Sequence, residues 1–449
     1  MKIDLEKLQK EYFPAALESI KEIIKIPSVR GEKAPQAPFG ENTKKVLDFA
    51  INLAKELGFK AYQDPENRYG YVEYGTGEKI FAILGHLDVV PTGDLTKWEF
   101  EPFNPQVKDG KLLGRGSFDD KGPTIINLYA LKYLKDNGFE PDYRIRLIFG
   151  LTEETDWSSI TSYMETEGTP DLGYTPDGEF PVVYAEKGIL NADIVGGGEN
   201  FTLIGGEAYN SVNDVVKYQG PEMSKIEAIL TAENIENYVE KDMLIIKGKS
   251  SHGSLPERGI NAALEALNAI AHVNSTSKIA KFVEEHLYRD YSFSKIFSTM
   301  HDESGNLTVN NGIVEINQDK TRLTLNLRVP ITYHQEDVVK PLTTELAKFD
   351  LQLTDLKWEN PVHMPKDSTM IQNIMQVYRE VTGDHNAQPL AIGGGTYAKA
   401  MPNCVAFGAE FDIEESTMHA YNEYVKIDDL RKMLEIYTKS IPLLTKINK

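Results

Sequence analysis

Five short segments of the chain carry residues that could bind metal ions together. They are Gly85-His86-Leu87-Asp88, Asp119-Asp120, Glu153-Glu154, Asp177 and, near the C-terminus, His419. A hydrolytic two-metal site needs imidazole and carboxylate ligands, one carboxylate that can bridge, and ions about 3.5–4 Å apart. The candidate ligands His86, Asp119, Glu154, Asp177 and His419 supply this set. The pattern therefore indicates a two-metal hydrolase.

Two further acidic residues lie beside these ligands. Asp88 is two positions from His86 along an extended strand, so it points to the same side and can accept the second imidazole N–H. Glu153 is left over from the ligand set. A carboxylate beside a metal-bound water can take its proton and pass it to a leaving amine, first as base and then as acid. Glu153, which is not needed as a ligand, is therefore a candidate for this role.

The candidate residues follow predicted strands. Residues 79–84 are an apolar run that ends at a glycine, and residues 143–149 form a second strand pattern that stops at Gly150. In open α/β sheets, ligands bind outside the carboxyl ends of the strands. A helical pattern opened by Gly122-Pro123 brings Asp119 to a third connection of this kind. Each residue alone has an ordinary explanation, such as a turn at Asp177, and the combination favours a site.

Composition restricts the classes of protein. The chain has 449 residues, 41% hydrophobic and 26% charged, which is typical of a globular protein with two domains. Its net charge of −20 argues against a nucleic-acid or anionic-membrane partner. The first 26 residues resemble a charged amphipathic helix without a signal-peptide core, and no run of 18 apolar residues occurs. With Cys404 as the single cysteine, we predict a cytoplasmic protein whose metal ligands are histidines and carboxylates.

The pattern of elements predicts an interrupted domain. Residues 1–186 alternate helix and strand patterns, and residues 362–449 resume that alternation with a helix at 368–382, a strand at 404–407 and a helix at 427–443. Residues 187–361 form a separate block with strands at 242–248 and 321–329 and a helix at 261–273. A domain can be inserted where the two ends of the host chain lie close together. We therefore predict that the first and last of these ranges form one catalytic domain and that the middle range is an inserted domain.

Several motifs resemble those of the M20 metallopeptidase family. They are Gly85-His86-Leu87-Asp88-Val89-Val90-Pro91, Gly114 to Pro123 (GRGSFDDKGP), Thr152-Glu153-Glu154 and Tyr174-Thr175-Pro176-Asp177. Within the family, the sequence most resembles bacterial dipeptidases of the PepV type, through Trp98 to Phe103 (WEFEPF), Ser251 to Ser254 (SHGS), Gly393 to Tyr397 (GGGTY) and Met418-His419-Ala420. The resemblance spans nearly the whole chain.

The resemblance implies a fold and a ligand assignment. The fold would be α/β, with a mixed-sheet, zinc-peptidase-like catalytic domain and an inserted α+β lid domain. Asp119 would bridge two divalent ions, with Glu154 and His419 on one ion and His86 and Asp177 on the other. Glu153 would be the base, and Asp88 would assist it by orienting His86. The family also has a cis peptide after its bridging Asp, here between Asp119 and Asp120.

The resemblance also implies substrate contacts from the lid. His252 would donate to the oxyanion, and Asn210 would contact the substrate. Arg328 would bind the C-terminal carboxylate, since a guanidinium can hold a carboxylate through two hydrogen bonds. Gly394, Gly395 and Thr396 could also contact this carboxylate, although a turn with a purely structural role is an alternative. The lid would close on substrate through hinges near residues 186 and 361.

These implications lead to one predicted function and two alternatives. We predict a metal-dependent dipeptidase that hydrolyses dipeptides with a free N-terminus, and the analogy with the family favours a monomer. The first alternative is an M20-type deacylase that removes acetyl or succinyl groups from amino acids. The second is a metal-binding or regulatory protein without catalysis, against which the intact Glu153 argues. Zn is favoured as the metal, and Mn or Co are alternatives, because histidine and carboxylate ligands accept all three.

Overall fold

The computed structural model describes residues 2–446, which form two compact units. The first unit contains the residues up to Tyr184, Val362–Leu390 and the residues from Thr396 onward. The second unit contains Ala185–Pro361 and Ala391–Gly395. The sequence-based boundaries assign residues 391–395 to the catalytic domain. In the structure this segment belongs to the second unit, where its backbone carbonyls accept hydrogen bonds from the Lys187 N–H and the Arg328 guanidinium.

The first unit is built on a mixed sheet. In spatial order its adjacent strands are Lys60–Gln63, Gly70–Tyr74, Arg144–Gly150, Ile80–His86, Leu172–Thr175 and Cys404–Ala406. The last four strands run parallel to one another, whereas the first two pair antiparallel with their neighbours. The side chains of the four parallel strands are buried on both faces of the sheet, as is usual for parallel strands. Four strand ends therefore meet at one edge of the sheet.

Helices and a small sheet complete the first unit. The helices are Leu5–Lys7, Leu8–Tyr12 (a π-helical turn), Phe13–Ile24, Glu41–Glu56, Lys121–Asp136, Ser158–Glu167, Thr369–Thr382 and Ile427–Leu444, with single turns at Leu95–Lys97, Tyr397–Ala400 and Ile413–Glu415. The small sheet contains Gln106–Lys108, Lys111–Leu113 and Tyr424–Lys426. Short strands at Val183–Glu186, Val362–His363 and Leu390–Ile392 lie near the boundaries between units. Among residues 2–446, no helix combines the length and apolar content needed to cross a bilayer.

The helix Lys121–Asp136 packs most deeply in this unit. All but three of its residues are buried, and it contacts both the strand Ile80–His86 and the helix Ile427–Leu444. Gly85 permits this packing, because a Cβ there would lie 2.0 Å from the Thr124 hydroxyl oxygen. The packing brings the start of the helix to the end of the strand, where the candidate ligands lie.

The second unit has its own sheet and core. In spatial order the strands are Asn237–Glu240, Met243–Lys247, Val215–Gln219, Thr202–Gly205, Val314–Ile316, Thr321–Val329, Gly188–Gly196 and Gln352–Glu359, and Thr308–Asn310 also pairs with Thr321–Val329. A hairpin joins His301–Asp302 to Gly305–Asn306. The helices are Met223–Ala232, Ala262–Val273, Lys278–His286 and Gln335–Ala347, with a single turn at Pro256–Arg258. These elements enclose one apolar cluster, which agrees with an α+β domain.

Candidate metal centre

The candidate ligands lie at the carboxyl ends of neighbouring strands. His86 is the last residue of its strand and faces Gly150, the last residue of the next strand. Glu153 and Glu154 follow Gly150, and Asp177 follows the strand Leu172–Thr175. The parallel order of these strands brings residues that are distant in sequence to one edge. This placement confirms the predicted positions of the strands.

Asp119 lies between the two candidate histidines. One of its carboxylate oxygens, Oδ1, is 3.1 Å from His86 Nε2, and the other, Oδ2, is 3.0 Å from His419 Nε2. His86 Nε2 is also 3.6 Å from Asp177 Oδ2, and His419 Nε2 is 3.0 Å from Glu154 Oε2. The donor atoms within each of two groups, His86 with Asp119 and Asp177, and Asp119 with Glu154 and His419, lie within 4.8 Å of one another. The two groups share Asp119.

The donor atoms fit divalent metal ions. Nε2 of His86 and Oε1 of Glu154 are fully buried and have no hydrogen-bond partner among the described residues. Such atoms are costly unless they receive a partner. His86 Nδ1 is 3.1 Å from the carbonyl oxygen of Asp88, to which it can donate, and this tautomer leaves the Nε2 lone pair for a metal. Imidazole nitrogen and carboxylate oxygen are suitable ligands for Zn, Mn or Co.

Asp88 acts through its backbone and its side chain. Its carboxylate oxygens accept hydrogen bonds from the backbone N–H groups of Glu153 and Glu154, each at 3.1 Å. The predicted contact with His86 is made more closely by the Asp88 carbonyl, at 3.1 Å, than by its carboxylate, at 3.5 Å. Two N–H donors of the opposite loop engage the carboxylate, and the carbonyl makes the closer contact with the imidazole. Asp88 thus positions both His86 and the two glutamates.

Glu153 has a free carboxylate that is largely withdrawn from water. No protein group of the described chain donates a hydrogen bond to this carboxylate. Burial raises its pKa well above the usual value, and the charges of Asp177 and Glu154 add to this effect, while His86 opposes it. A carboxylate with an elevated proton affinity is suited to take a proton from water.

The pKa values of two candidate ligands, His419 and Glu154, are raised. Hydrogen bonds with Asp119 and Glu154 raise the pKa of His419 to about 11. Burial, followed by the charge of Asp119, raises the pKa of Glu154 to about 7. Several carboxylates held close together with few cations attract divalent ions by the same Coulomb forces.

Two residues near this centre were given no role of their own in the sequence analysis. Asp120 is buried and accepts hydrogen bonds from the His86 N–H at 3.1 Å and the Thr124 hydroxyl at 2.9 Å. The buried Tyr397 ring packs edge-on against the His86 ring at 6.0 Å. Both residues lie in quoted motifs, Asp120 in Gly114 to Pro123 and Tyr397 in Gly393 to Tyr397, but the local sequence does not indicate their contacts with His86. The Asp119-Asp120 peptide is cis, as the family resemblance implied.

Two of the predicted lid residues lie together in the second unit. A β-bridge joins Ser211 to His252, and the Gly253 N–H donates to the Asn210 carbonyl at 2.7 Å. The Ser254 N–H donates to His252 Nδ1 at 3.2 Å, so Nε2 carries the proton of the neutral ring. Partial burial and the Arg328 charge lower the pKa of His252, which favours this neutral form. His252 therefore presents a donor at Nε2.

Arg328 is buried within the sheet of the second unit. It is 4% exposed and lies on a strand that is paired on both sides, so it is an interior residue of the sheet. Its guanidinium donates to Asn326 Oδ1 at 3.0 Å and to the Gly393 carbonyl at 3.2 Å. No carboxylate of the described residues lies within 4.0 Å of it, and burial lowers its pKa to about 10. The cation thus lacks an anionic partner among these residues.

The glycine-rich segment, residues 393–396, is divided between the two units. Gly394 and Gly395 belong to the second unit, and Thr396 belongs to the first. The Thr396 side chain accepts a hydrogen bond from the Ala398 N–H and begins the turn Tyr397–Ala400. A Cβ at Gly394 would meet only the Ile392 side chain, at 3.8 Å. A substrate contact by these residues stays a prediction.

Comparison with known proteins assigns the family. The model of Peptidase family M20/M25/M40 matches residues 82–442. The chain belongs to this family. Among curated relatives of this M20 peptidase, a Staphylococcus saprophyticus protein named "Putative dipeptidase" is 35% identical, covering 96% of this chain and 97% of the relative. A protein of the same name from Staphylococcus epidermidis is 33% identical over 96% of this chain and 97% of its own length.

Solved structures show the same fold. A di-peptidase from Saccharomyces cerevisiae matches with a TM-score of 0.60 and 14% identity, covering 99% of this chain and 98% of that chain. Human carnosine dipeptidase 1 matches with a TM-score of 0.59 and 14% identity, covering 99% and 100%. The predicted α/β fold with a catalytic and a lid domain is confirmed for this M20 peptidase. M20 peptidases depend on metal ions, in agreement with the donor atoms described above.

Metal ions should stabilise this M20 peptidase against heat. A ligand that binds only the folded chain adds about 2.7 kcal/mol at 100 times its Kd. We expect Zn or Mn to raise the Tm of chelator-treated protein, measured by differential scanning calorimetry. The gain should shrink as the pH falls, because protons compete with the ions for His419 and Glu154.

The control for this experiment is the substitution of a histidine outside the metal site. His419→Ala should lose much of the gain, whereas His272→Ala, which removes a histidine 4.0 Å from Glu284 in the second unit, should keep it. An equal gain in both variants would show that the ions bind elsewhere.

Proposed function

We propose that this protein is a dipeptidase of the PepV type that hydrolyses dipeptides with a free N-terminus. The proposal is supported chiefly by Asp119, whose two oxygens face two imidazoles, and by the neighbouring Glu153, whose carboxylate no described protein group engages. The relatives at 33–35% identity, which carry a dipeptidase name, support the substrate class.

His86, Asp119 and Asp177 would hold one divalent ion, and Asp119, Glu154 and His419 the other. Such ions, when bound, polarise the scissile carbonyl and acidify water. Glu153 takes a proton from the attacking water and returns it to the leaving amine. Asp88 holds the Glu153 and Glu154 backbone in place during both transfers. We propose Zn as the ion, with Mn or Co as alternatives.

The second unit would supply the substrate contacts. His252 donates through Nε2 to the oxygen on which negative charge develops. Asn210, whose exposed side chain makes no hydrogen bond among the described residues, contacts the peptide. Arg328 binds the C-terminal carboxylate, and the backbone N–H groups of Gly394, Gly395 and Thr396 would also donate to it. We further propose a cytoplasmic monomer whose lid closes through hinges near residues 186 and 361.

A deacylase of the same family is the alternative function, and the two differ in the group on the substrate's N-side. Initial rates should therefore be compared for dipeptides, including a β-alanyl member, and for N-acetyl and N-succinyl amino acids. We expect cleavage of the free dipeptides only. Cleavage of the acylated compounds alone would assign the protein to the deacylases.

Arg328 should determine the preference for a free C-terminus. Removing one partner of a buried charged contact costs about 2–5 kcal/mol, so Arg328→Met should lower kcat/KM for a dipeptide by at least about 30-fold. The same substitution should change little for the dipeptide amide, because the amide carries no carboxylate.

The matched control is Arg322→Lys on the same strand. Arg322 already pairs with Asp193 at 2.6 Å, and lysine keeps that charge. We expect this variant to retain the preference for the free carboxylate. If Arg328→Met also retained it, Arg328 would not be the carboxylate-binding residue.

A further inference from the structure

A buried ion pair joins the two loops that carry Asp119 and His419. Glu423 is fully buried, and Arg115 is 2% exposed. Arg115 Nη1 donates to Glu423 Oε2 at 2.6 Å, although 308 positions separate the two residues. Arg115 lies in the motif Gly114 to Pro123, but a contact over this separation leaves no local pattern, so the sequence did not predict the pair.

Glu423 also binds the backbone of the loop that leads to Asp119. Its second oxygen, Oε1, accepts the N–H groups of Gly116 at 3.0 Å, Phe118 at 3.1 Å and Asp119 at 3.2 Å. The Glu423 carbonyl accepts the Gly114 N–H at 3.0 Å. One residue therefore organises this loop from its first glycine to the shared ligand.

Arg115 extends the connection to the other loop. Its Nη2 donates to the carbonyl of Ala420 at 3.1 Å, and Ala420 directly follows His419. His419 itself has a φ of 58°, in the left-handed region that a histidine adopts at a cost. A hydrogen bond on the next residue helps to hold this backbone in place.

A role in stability alone is a poor explanation for this pair. Removing two charges from water costs several kcal/mol per ion, and replacing a buried ion pair with apolar residues is often neutral or stabilising. Here every donor that Glu423 accepts comes from the Asp119 loop, and the arginine reaches the His419 loop. The pair is thus placed to fix the distance between two ligand-bearing loops.

We propose that Glu423 and Arg115 are positioning residues that set the affinity of the site for metal ions. They do so by fixing the positions of Asp119 and His419 relative to each other. This inference rests on the proposed two-ion site and is independent of the substrate. Glu423 acts on Asp119, which both ions share, so its loss affects both ions. Arg115 reaches His419 through Ala420, so a partial change in Arg115 affects chiefly the ion held by Glu154 and His419.

The test is metal affinity, measured by competition with a chromophoric chelator on chelator-stripped protein. Glu423→Gln keeps one acceptor oxygen and removes the charge. Changes in residues that support metal ligands weaken binding by about 10–100-fold, and we expect a loss of this size for both ions. Arg115→Lys keeps the charge but cannot make both hydrogen bonds, to Glu423 and to the Ala420 carbonyl. It should weaken binding of the ion held by Glu154 and His419 more than binding of the other ion.

A matched variant separates positioning from stability. Glu167→Gln removes a carboxylate that lies 3.1 Å from the buried Arg146 in the same unit, in contact with tyrosines and with no metal ligand. It should lower the Tm of metal-free protein and leave both metal dissociation constants unchanged. The proposal is overturned if Glu423→Gln and Arg115→Lys lower the Tm in the same way while their metal affinities stay at the wild-type value.

Discussion

Replacing Glu153 by Gln should reduce kcat for dipeptide hydrolysis by about 10²–10⁴-fold. Glutamine has nearly the same shape as glutamate but cannot take a proton from water. Both groups of donor atoms that share Asp119 remain complete without Glu153. The variant should therefore bind both ions while it loses turnover, and steady-state kinetics with metal analysis of the same sample measures the two effects.

The control for this variant is Glu165→Gln, on an exposed face of the helix Ser158–Glu167. It removes the same charge from the same unit and should leave kcat unchanged. Near wild-type kcat in Glu153→Gln would eliminate Glu153 as the base. Loss of metal from that variant would instead show that Glu153 is a ligand.

Replacing Asp119 by Asn should remove both ions and with them all measurable hydrolysis. The amide nitrogen cannot act as a ligand. The substituted side chain would therefore offer a ligand oxygen next to only one of the two histidines. The effect should also appear in the absence of substrate, as a loss of bound metal after gel filtration.

Asp177→Asn gives the graded comparison. Asp177 faces only His86, at 3.6 Å, so this variant should lose one ion and keep the ion held by Glu154 and His419. Elemental analysis should then show the highest metal content in the wild type, a lower content in Asp177→Asn and the lowest in Asp119→Asn. Equal metal content in the two variants would contradict a bridging role for Asp119.

Much of the first unit was predictable because its signals are local. The strands Ile80–His86 and Arg144–Gly150 and the helix Ile427–Leu444 lie within two residues of their predicted bounds. Apolar runs that end in glycine identify buried strands without knowledge of their neighbours. Rules for α/β sheets then place the polar residues after these strands at one edge.

Other features depend on contacts that the local sequence does not encode. The Asp88 carboxylate binds the Glu153 and Glu154 N–H groups rather than chiefly the imidazole, because the opposite loop approaches it. Arg115 and Glu423 resemble any surface pair until the folded chain brings them together. Residues 391–395 join the second unit through hydrogen bonds from Lys187 and Arg328, which no boundary signal in their sequence reveals.

Metal titration of the stripped protein shows whether hydrolysis requires two bound ions. Chelator-treated protein should be titrated with Zn or Mn while hydrolysis of one unmodified dipeptide and the amount of bound metal are measured in parallel. We expect no hydrolysis without metal and full hydrolysis only when two ions are bound per chain. Hydrolysis by metal-free protein, or full activity with a single bound ion, would rule out a two-ion catalytic site.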